Sequence, residues 1–355
     1  MDRIRPFERG DIEQVAALHR SVFQVNVSPP VERYYSYFAE QFLPRDAPVS
    51  PSLVSESQRG RIPGFLGVVA RHFCFGDQKI VGALSSQFVV DPEGRKQLAG
   101  INLIREFLNG PQDLSFTDEA NDLSRKIWVA MGGSVATLQG IHWVVPLRPV
   151  SLACNRYAPG WMAPFLGVPS RMCDRLLSSM ENGLLRDNGP MLKNETLSTE
   201  GMIEYLNKAT RQCQLRPHYD HSSLNAMIQR AAQKKGSLRK VLLRDEANDV
   251  AGWYLCHCEP GGLAEVLQVV SREDCQTQVI AHLSCDARDH GATAAVGRLE
   301  PGLAEPLANR FCFLFRRKCA MLVHSRCPEI IYSIHSGQAF ISRLEGEWCV
   351  RYCDK

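Results

Sequence analysis

A short basic run is the part of the sequence best suited to chemistry. Apart from Leu98, its members are basic, polar or small: Arg95, Lys96, Gln97, Leu98, Ala99 and Gly100. The first turn of a helix has unpaired backbone N–H groups, and its dipole favours negative charge. Ala99 and Gly100 would let an anion approach such a backbone closely, and Arg95 and Lys96 add positive charge. The run therefore predicts a phosphate-binding loop at the start of a helix.

The stretches around this loop have the patterns of regular elements. Residues 79–90 alternate in polarity and are rich in β-formers, which predicts a strand before the loop. A helix follows it and ends at Asn109-Gly110-Pro111, a typical stop signal. Residues 114–117 predict the next strand. The predicted inner face of the helix carries Leu103, Ile104, Phe107 and Leu108.

Residues 90–100 resemble the coenzyme A loop of the GNAT superfamily of N-acetyltransferases, which has the pattern Arg/Gln-x-x-Gly-x-Gly/Ala. Arg95 and Gly100 match the first and last positions, and Leu98 replaces the middle glycine. The resemblance spans residues 1 to about 148. Four residues downstream fall at the spacing of the family's Asn-x-x-Ala-x-x-x-Tyr-x-x-x-Gly helix: Asn121, Ser124, Trp128 and Gly132.

The resemblance implies an α+β fold, with a mixed and mainly antiparallel sheet flanked by helices. It also implies that strands four and five splay apart, and that acetyl-CoA or another acyl-CoA is the co-substrate, without a metal. The pantetheine would bond to strand four, and the pyrophosphate would bind at the start of the next helix. The residues expected to bind the donor are Phe88, Val89, Val90, Arg95, Lys96, Gln97, Leu98, Ala99, Gly100, Ile101, Asn121 and Trp128.

Two residues depart from the family's pattern. Leu98 adds a side chain where the family usually has bare backbone, and it could either obstruct a phosphate or point into the core. Trp128 stands where many relatives have a tyrosine that protonates the departing thiolate, and an indole has no proton to give at useful pH. We interpret Trp128 as a core aromatic. Acyl transfer would then depend on positioning the amine beside the thioester.

Three polar residues are candidates for handling the proton that an attacking amine loses. Asp118 and Glu119 follow the predicted strand over 114–117, near the expected cleft, although Asp118 could equally cap the next helix. Gln87, on the preceding strand, could position a water molecule. These patterns leave the catalytic residue unassigned.

The second half of the chain repeats features of the first. A strand, turn and amphipathic helix begin at Ile4 and again at Leu215, and a polar hairpin precedes both Ile62-Pro63-Gly64-Phe65 and Val250-Ala251-Gly252-Trp253. Residues 262–270 and 275–290 suggest a second strand four and its helix, with later strands over 293–300 and 319–324. The connection Ser271-Arg272-Glu273-Asp274 has no glycine and two acidic residues, which suits pyrophosphate poorly.

We therefore predict three segments. Residues 1–148 form a GNAT-like acyl-CoA-binding domain, and residues 199–355 form a second GNAT-like domain without the Gly-rich phosphate loop. Residues 149–198, punctuated by prolines, form a packed helical connector rather than a flexible tether, because they lack a Gly/Ser bias.

Composition narrows the possible partners of the 355-residue chain. A net charge of +3 gives no basic footprint for nucleic acid, and no apolar run approaches the roughly 18 residues of a membrane span. The 13 cysteines have irregular spacing without a Cys-x-x-Cys pair, which favours reduced thiols over a metal site. With charges at the N-terminus where a signal peptide is apolar, we expect a cytoplasmic location.

The leading hypothesis is acyl-CoA-dependent N-acyl transfer to an unidentified small-molecule or peptide amine. Two alternatives remain. One is a catalytically inactive binding or scaffold protein with the GNAT fold, which Leu98 and Trp128 favour. The other is an aminoacyl-tRNA-dependent transferase like the tandem-domain FemABX type, which the near-neutral charge disfavours. The acceptor, the acyl chain length and the oligomeric state are open.

Overall fold

Two β-sheets that exchange one strand with each other form the frame of the protein. The computed structural model describes residues 2–23, 31–43, 48–96, 98–157, 169–170, 172–174, 176, 192–300, 302–308 and 312–352. The strands are β1 (Arg3–Pro6), β2 (Leu53–Glu56), β3 (Gly64–Phe75), β4 (Gln78–Val90), β5 (Leu114–Ala120), β6 (Ser134–Val135), β7 (Ile141–Pro146), β8 (Lys193–Thr196), β9 (Leu215–Pro217), β10 (Ser237–Arg244), β11 (Val250–Cys258), β12 (Leu263–Ser271), β13 (Ala294–Arg298), β14 (Phe313–Arg316) and β15 (Ala320–His324).

Helices flank both sheets. They are α1 (Ile12–Phe23), α2 (Val31–Phe42), α3 (Pro92–Lys96), α4 (Ala99–Leu108), α5 (Asp122–Ala130), α6 (Pro149–Tyr157), α7 (Thr199–Ala209), α8 (His221–Ala232), α9 (Gln276–Asp289), α10 (Ala304–Ala308) and α11 (Pro328–His335). Short 3-10 helices lie at Arg9–Asp11, Leu138–Gly140, Glu273–Cys275 and Glu347–Cys349. Among the described helices, none is both long and apolar enough to cross a membrane.

The first sheet has the strand order β1-β2-β3-β4-β5-β15-β6, and β9 pairs with β3. Its strands pair antiparallel except β4 and β5, which run parallel. The second sheet has the order β14-β7-β13-β12-β11-β10-β8, and its parallel pair is β12 with β13. The predicted architecture of two mixed, mainly antiparallel sheets flanked by helices is confirmed.

The exchange of strands is reciprocal. β7, from the first half of the chain, lies between β13 and β14 in the second sheet. β15, from the second half, lies between β5 and β6 in the first sheet. The division into domains 1–148 and 199–355 stays a prediction, but the sheets do not follow it. Sequence patterns alone could not reveal this, because a strand's pattern does not specify which sheet it joins.

The connector over 149–198 is only partly helical where it is described. α6 occupies its beginning, and residues 158–168 and 177–191 lie outside the described residues. Its end is the strand β8, which pairs with β10 at the edge of the second sheet. The prediction of a purely helical connector was therefore wrong for Lys193–Thr196.

A buried ion pair joins the sheets beside the exchanged strands. The Arg298 guanidinium, at the end of β13, donates to the Asp118 carboxylate of β5 at 2.7 Å, and both side chains are almost fully buried. Arg298 also donates to the Ile341 carbonyl at 3.0 Å. Since removing one partner of a buried pair leaves an uncompensated charge, we expect both residues to be needed for stability.

Replacing Asp118 by asparagine tests this expectation. Asp118→Asn keeps the size of the side chain but leaves the Arg298 charge unpaired, so the free energy of unfolding should fall by about 3 kcal/mol. Urea denaturation measures it. The matched control is Glu204→Gln, which breaks the exposed pair with Lys208 and should cost about 0.5 kcal/mol or less. Equal effects of the two substitutions would contradict the structural role of the buried pair.

Candidate functional site

A cavity opens where the parallel strands β4 and β5 separate. Their last paired residues are Leu84 and Phe116, and beyond them the facing edges of the two strands have no strand between them. The cavity has a volume of about 390 Å³. It is lined by His19, Phe23, Leu66, Ser85, Ser86, Gln87, Phe88, Ile104, Thr117, Glu119, Ala120, Asn121, Ser124, Trp128, Glu347, Arg351 and Tyr352. The predicted wedge between strands four and five is therefore present.

A bulge in β4 lies at this wedge. The register of β4 against β3 shifts between Phe65 and Gly67, and Gln87 has a left-handed backbone with a φ of +53°. The bulge leaves the Gln87 side chain facing His19, whose Nε2 lies 2.6 Å from the Gln87 Oε1. Burial lowers the pKa of His19, so a neutral ring donates from Nε2. The Gln87 carbonyl is thus already engaged by the protein.

The loop after β4 differs in detail from the prediction. Residues 92–96 form the separate helix α3, and the Asp91 carboxylate accepts the Gly94 N–H at 2.7 Å, so this helix start is capped. Leu98 precedes α4 in a left-handed conformation, with a φ of +60°, and its side chain is 55% exposed. Leu98 therefore points to solvent and not into the core.

The first-turn N–H groups of α4 belong to Ala99, Gly100 and Ile101, and such groups generally have no partner within their own helix. The next N–H, that of Asn102, donates to the Leu98 carbonyl at 3.1 Å. A Cβ on Gly100 would lie 3.1 Å from the Phe88 ring and 3.3 Å from Val90. The glycine thus lets α4 pack closely on β4, and its role in phosphate binding stays a prediction.

The other predicted donor-binding residues are spread around the cavity and its walls. Phe88 lines the cavity, whereas Val89 packs under α1 and α2 and Val90 packs under α4. Arg95 is exposed, and its Nε donates to the Val90 carbonyl at 3.2 Å. Gln97 lies outside the described residues, as does the side chain of Lys96.

Asn121 and Trp128 both line the cavity from α5. The Asn121 side chain caps the helix by accepting the Ser124 N–H at 2.9 Å. Trp128 is 2% exposed and its ring centre lies 5.9 Å from that of Phe107. The interpretation of Trp128 as a core aromatic is confirmed, and Asn121 takes the capping role that was considered for Asp118.

The two carboxylates that were considered as bases lie in different surroundings. Asp118 does not line the cavity, because its carboxylate is held by Arg298 and by the Glu347 N–H at 2.8 Å. Asp118 therefore has a structural position where the two sheets meet, and its role as a base stays an untested prediction. Glu119 does line the cavity, and its oxygens lie 3.5 Å from Arg317 and 3.7 Å from Arg351.

Sequence reasoning missed Glu347, a half-buried carboxylate in the cavity wall. Its Oε1 accepts the Glu119 N–H at 3.0 Å and the Thr117 hydroxyl. Burial, together with the nearby Asp118 and Glu119, raises the pKa of Glu347 to about 8. A carboxyl group with such a pKa can accept a proton near neutral pH.

No local signal marks Glu347, because its partners are distant in sequence. The one hint is Gly346, where a Cβ would lie 2.0 Å from the Asp118 Oδ2. The glycine is required there, but the requirement is visible only once Asp118 and this segment are known to meet.

The equivalent wedge in the second sheet is filled by the chain itself. β12 and β13 pair up to Glu265 and Val296 and then separate. The Leu344 N–H donates to the Leu267 carbonyl of β12 at 3.1 Å. Gln268 is fully buried and donates to the Tyr219 and Ser342 hydroxyls. Residues 340–346 thus occupy the position that is open in the first sheet.

A metal centre has no basis in the side chains that the structure describes. Across those residues, no group of three or more His, Cys, Asp or Glu is arranged to hold an ion. Cys256 and Cys258 approach to 3.7 Å between sulfurs, and both are fully buried.

Comparisons with known proteins agree with this geometry at the level of the fold. No protein-family model and no curated protein matches the chain by sequence. Solved structures do match it. One is a conserved protein of Enterococcus faecalis V583, called a probable N-acyltransferase, with a TM-score of 0.58 and 9% identity over 92% of this chain and 73% of that one.

Two further matches are GCN5-related N-acetyltransferases. The protein from Anabaena variabilis has a TM-score of 0.56 at 13% identity, over 92% of this chain and 73% of its own. The protein from Kribbella flavida has a TM-score of 0.55 at 10% identity, over 95% of this chain and 73% of its own. The chain has the GCN5-related N-acetyltransferase fold. The resemblance inferred from the loop and helix motifs is thus confirmed for the fold, and it extends over nearly the whole chain.

The raised pKa of Glu347 predicts a pH effect on stability. Because the folded pKa of about 8 exceeds the usual value near 4.3, the stabilising contribution is full at low pH and is lost as pH rises through 8. Between pH 5 and pH 9 the wild type should lose on the order of 4 kcal/mol more than Glu347→Gln. Urea denaturation of both proteins at the two pH values measures the difference. Parallel losses would contradict the perturbed pKa.

Proposed function

We propose that the cavity between β4 and β5 binds an acyl-CoA and transfers its acyl group to an amine. The observation that carries this proposal is the open wedge beyond Leu84 and Phe116, with the Glu347 carboxylate in its wall. The likeness to solved acetyltransferases supports the fold of such an enzyme. The donor, the acceptor and the cytoplasmic setting belong to the proposal.

Donor binding would use backbone groups more than side chains. The β4 edge that faces the wedge can bond to the amides of the pantetheine, as an added strand would. The Ser86 hydroxyl lies in the cavity wall, buried and without a hydrogen-bond partner, and a polar ligand group would satisfy it. The N-terminal end of α4, with its helix dipole, and the positive charge of Arg95 suit a diphosphate.

The chemistry requires the amine to lose a proton. The amine nitrogen forms a bond to the thioester carbon, and the carbon–sulfur bond breaks to release the coenzyme A thiolate. Glu347 accepts the proton that the nitrogen gives up, and the thiolate takes a proton from water. Trp128 supplies none, so the rate depends mainly on the positioning of the two substrates.

Titration calorimetry with acetyl-CoA tests donor binding. We expect micromolar affinity, and a loss of about fivefold in Arg95→Gln because one charge-assisted contact to phosphate is removed. Arg59→Gln, in the exposed turn before β3, is the matched control and should bind like the wild type. Absence of binding up to millimolar acetyl-CoA would leave the scaffold alternative, and salt-sensitive binding of tRNA would favour an aminoacyl-tRNA donor.

Kinetics of Glu347→Gln test the assigned base. Coenzyme A release would be followed with triglycine, glucosamine, ethanolamine and Nα-acetyl-lysine as acceptors. We expect kcat to fall about 10²- to 10⁴-fold for any accepted amine, without a change in acetyl-CoA affinity. In the wild type, kcat/KM should rise with pH towards a plateau above about pH 8, because the base must be ionised. Glu305→Gln, on exposed α10, should leave the profile intact. An unchanged profile in Glu347→Gln would exclude Glu347 as the base.

A further inference from the structure

A second, smaller cavity lies in a gap along the first sheet. β2 pairs with β3 at Leu66, and β9 resumes the pairing at Phe73, so the β3 edge between them has no neighbouring strand. α2 and α8 cover the gap and leave a cavity of about 260 Å³. Its polar lining consists of Gln41, Ser50, Ser52, Arg71, His72, Ser223 and Arg230.

Arg71 is an unusual member of this lining. It is 7% exposed, yet its bonds go to neutral carbonyls, from Nε to Glu345 at 3.0 Å and from one terminal nitrogen to Ala70 at 3.2 Å. The other terminal nitrogen, Nη2, is buried without a hydrogen-bond partner. Among the described residues no carboxylate lies within ion-pair distance of Arg71; burial lowers its pKa, and the more distant charges of Glu345 and Asp118 oppose that shift only in part. A buried guanidinium in this state is costly unless something pairs with it.

Gln41 presents a second unsatisfied atom at the same cavity. Its side chain is 9% exposed, and its Oε1 is buried without a partner. Buried polar groups in folded proteins nearly always have a hydrogen-bond partner. Two unsatisfied atoms on residues that line one cavity therefore indicate that a polar ligand group is missing from it.

The charges of the lining define the chemistry of that group. Arg71, His72 and Arg230 line the cavity, and no aspartate or glutamate does so in the described part of the chain. A guanidinium presents planar donors that match a carboxylate. Hydroxyls of Ser50, Ser52 and Ser223 complete a lining suited to a small anion.

The cavity and the proposed catalytic site both border a third cavity. The smaller cavity shares Gln41, Ala226 and Arg230 with this third one, a larger groove of about 660 Å³ between α2 and α8. That groove shares Arg351 and Tyr352 with the wedge cavity. The groove follows α2 from Glu32 to Gln41, a helical path of roughly 14 Å.

We propose that the Arg71 pocket binds a carboxylate of the acceptor, whose body follows the groove along roughly 14 Å of α2 and whose amine lies in the wedge. The inference rests on the proposed function, since the wedge must hold the acyl donor. An extended peptide spans about 3.4 Å per residue, so the acceptor class is a short peptide or peptide-like molecule with a free terminal carboxylate. The three adjoining cavities then hold the donor, the acceptor body and the acceptor's anionic end.

Glycine peptides of two to five residues, each as free acid and as C-terminal amide, test the proposal as acceptors with acetyl-CoA. In the wild type, kcat/KM should favour the acid over the amide at least tenfold, with the best rate at three or four residues. Arg71→Gln should abolish this preference through KM. Gln41→Glu, which places a fixed negative charge in the pocket and keeps Arg71, should do the same. Arg211→Gln, in an exposed loop before β9, is the control and should keep the preference.

The outcomes separate the two proposals. Acylation of acids and amides at equal rates, with normal acetyl-CoA binding, would overturn the carboxylate pocket and leave the acyltransferase standing. If acetyl-CoA does not bind, calorimetry tests the pocket alone, by comparing the affinity of tetraglycine with that of its C-terminal amide. Equal affinities, or no binding of either peptide, overturn the carboxylate pocket. If succinate binds with the affinity of tetraglycine and displaces it, the pocket takes a free carboxylate and not the end of a peptide acceptor, which overturns the proposal.

Discussion

The reciprocal exchange of β7 and β15 is the constraint on which the rest of the structure depends. β5 and β13 each need a strand along the edge that faces away from the wedge, and each receives it from the other half of the chain. The unpaired backbone of an open edge is unfavourable in a buried sheet. Neither sheet is therefore complete without the other, and the two halves form one cooperative unit.

The exchange also explains why the ion pair lies where it does. Asp118 is two residues beyond the last β5 position that pairs with β4, and Arg298 is two residues beyond the corresponding position of β13. The two charges thus occupy equivalent places in the repeat and meet at its centre. The Asp118 carboxylate in turn accepts the Glu347 N–H, so the interface that joins the sheets also positions a carboxylate in the cavity.

Local patterns predicted the order of elements over residues 79–133, because alternation, small residues and helix stops act within a few residues. The buried face of α4 and the core position of Trp128 follow from the same periodicity. The additional helix α3 begins after Asp91, whose carboxylate caps it. The sequence pattern alone did not distinguish this capped helix from a continuous loop. The destination of β7 and the role of Glu347 could not be predicted, because both depend on contacts between distant segments.

The wedges in the two sheets have the same strand arrangement, but one is open and the other is filled. Gln87 and Gln268 each lie three residues beyond the last parallel pair of their sheet, within or beside a bulge. Gln87 borders open space, whereas residues 340–346 fill the wedge beside Gln268. The filled wedge holds the segment that leads directly to Glu347. The wedge of the second sheet thus holds in place the segment that completes the cavity wall in the first sheet.

The wall of the first cavity is assembled across a wide span of the chain. Thr117 and Glu347, which meet at the wedge, are separated by 230 positions. A ribosome that has released only the first half has made a sheet in which β5 still lacks its neighbour β15 and the cleft still lacks Glu347. The cleft of the nascent chain therefore stays incomplete until Glu347 has emerged.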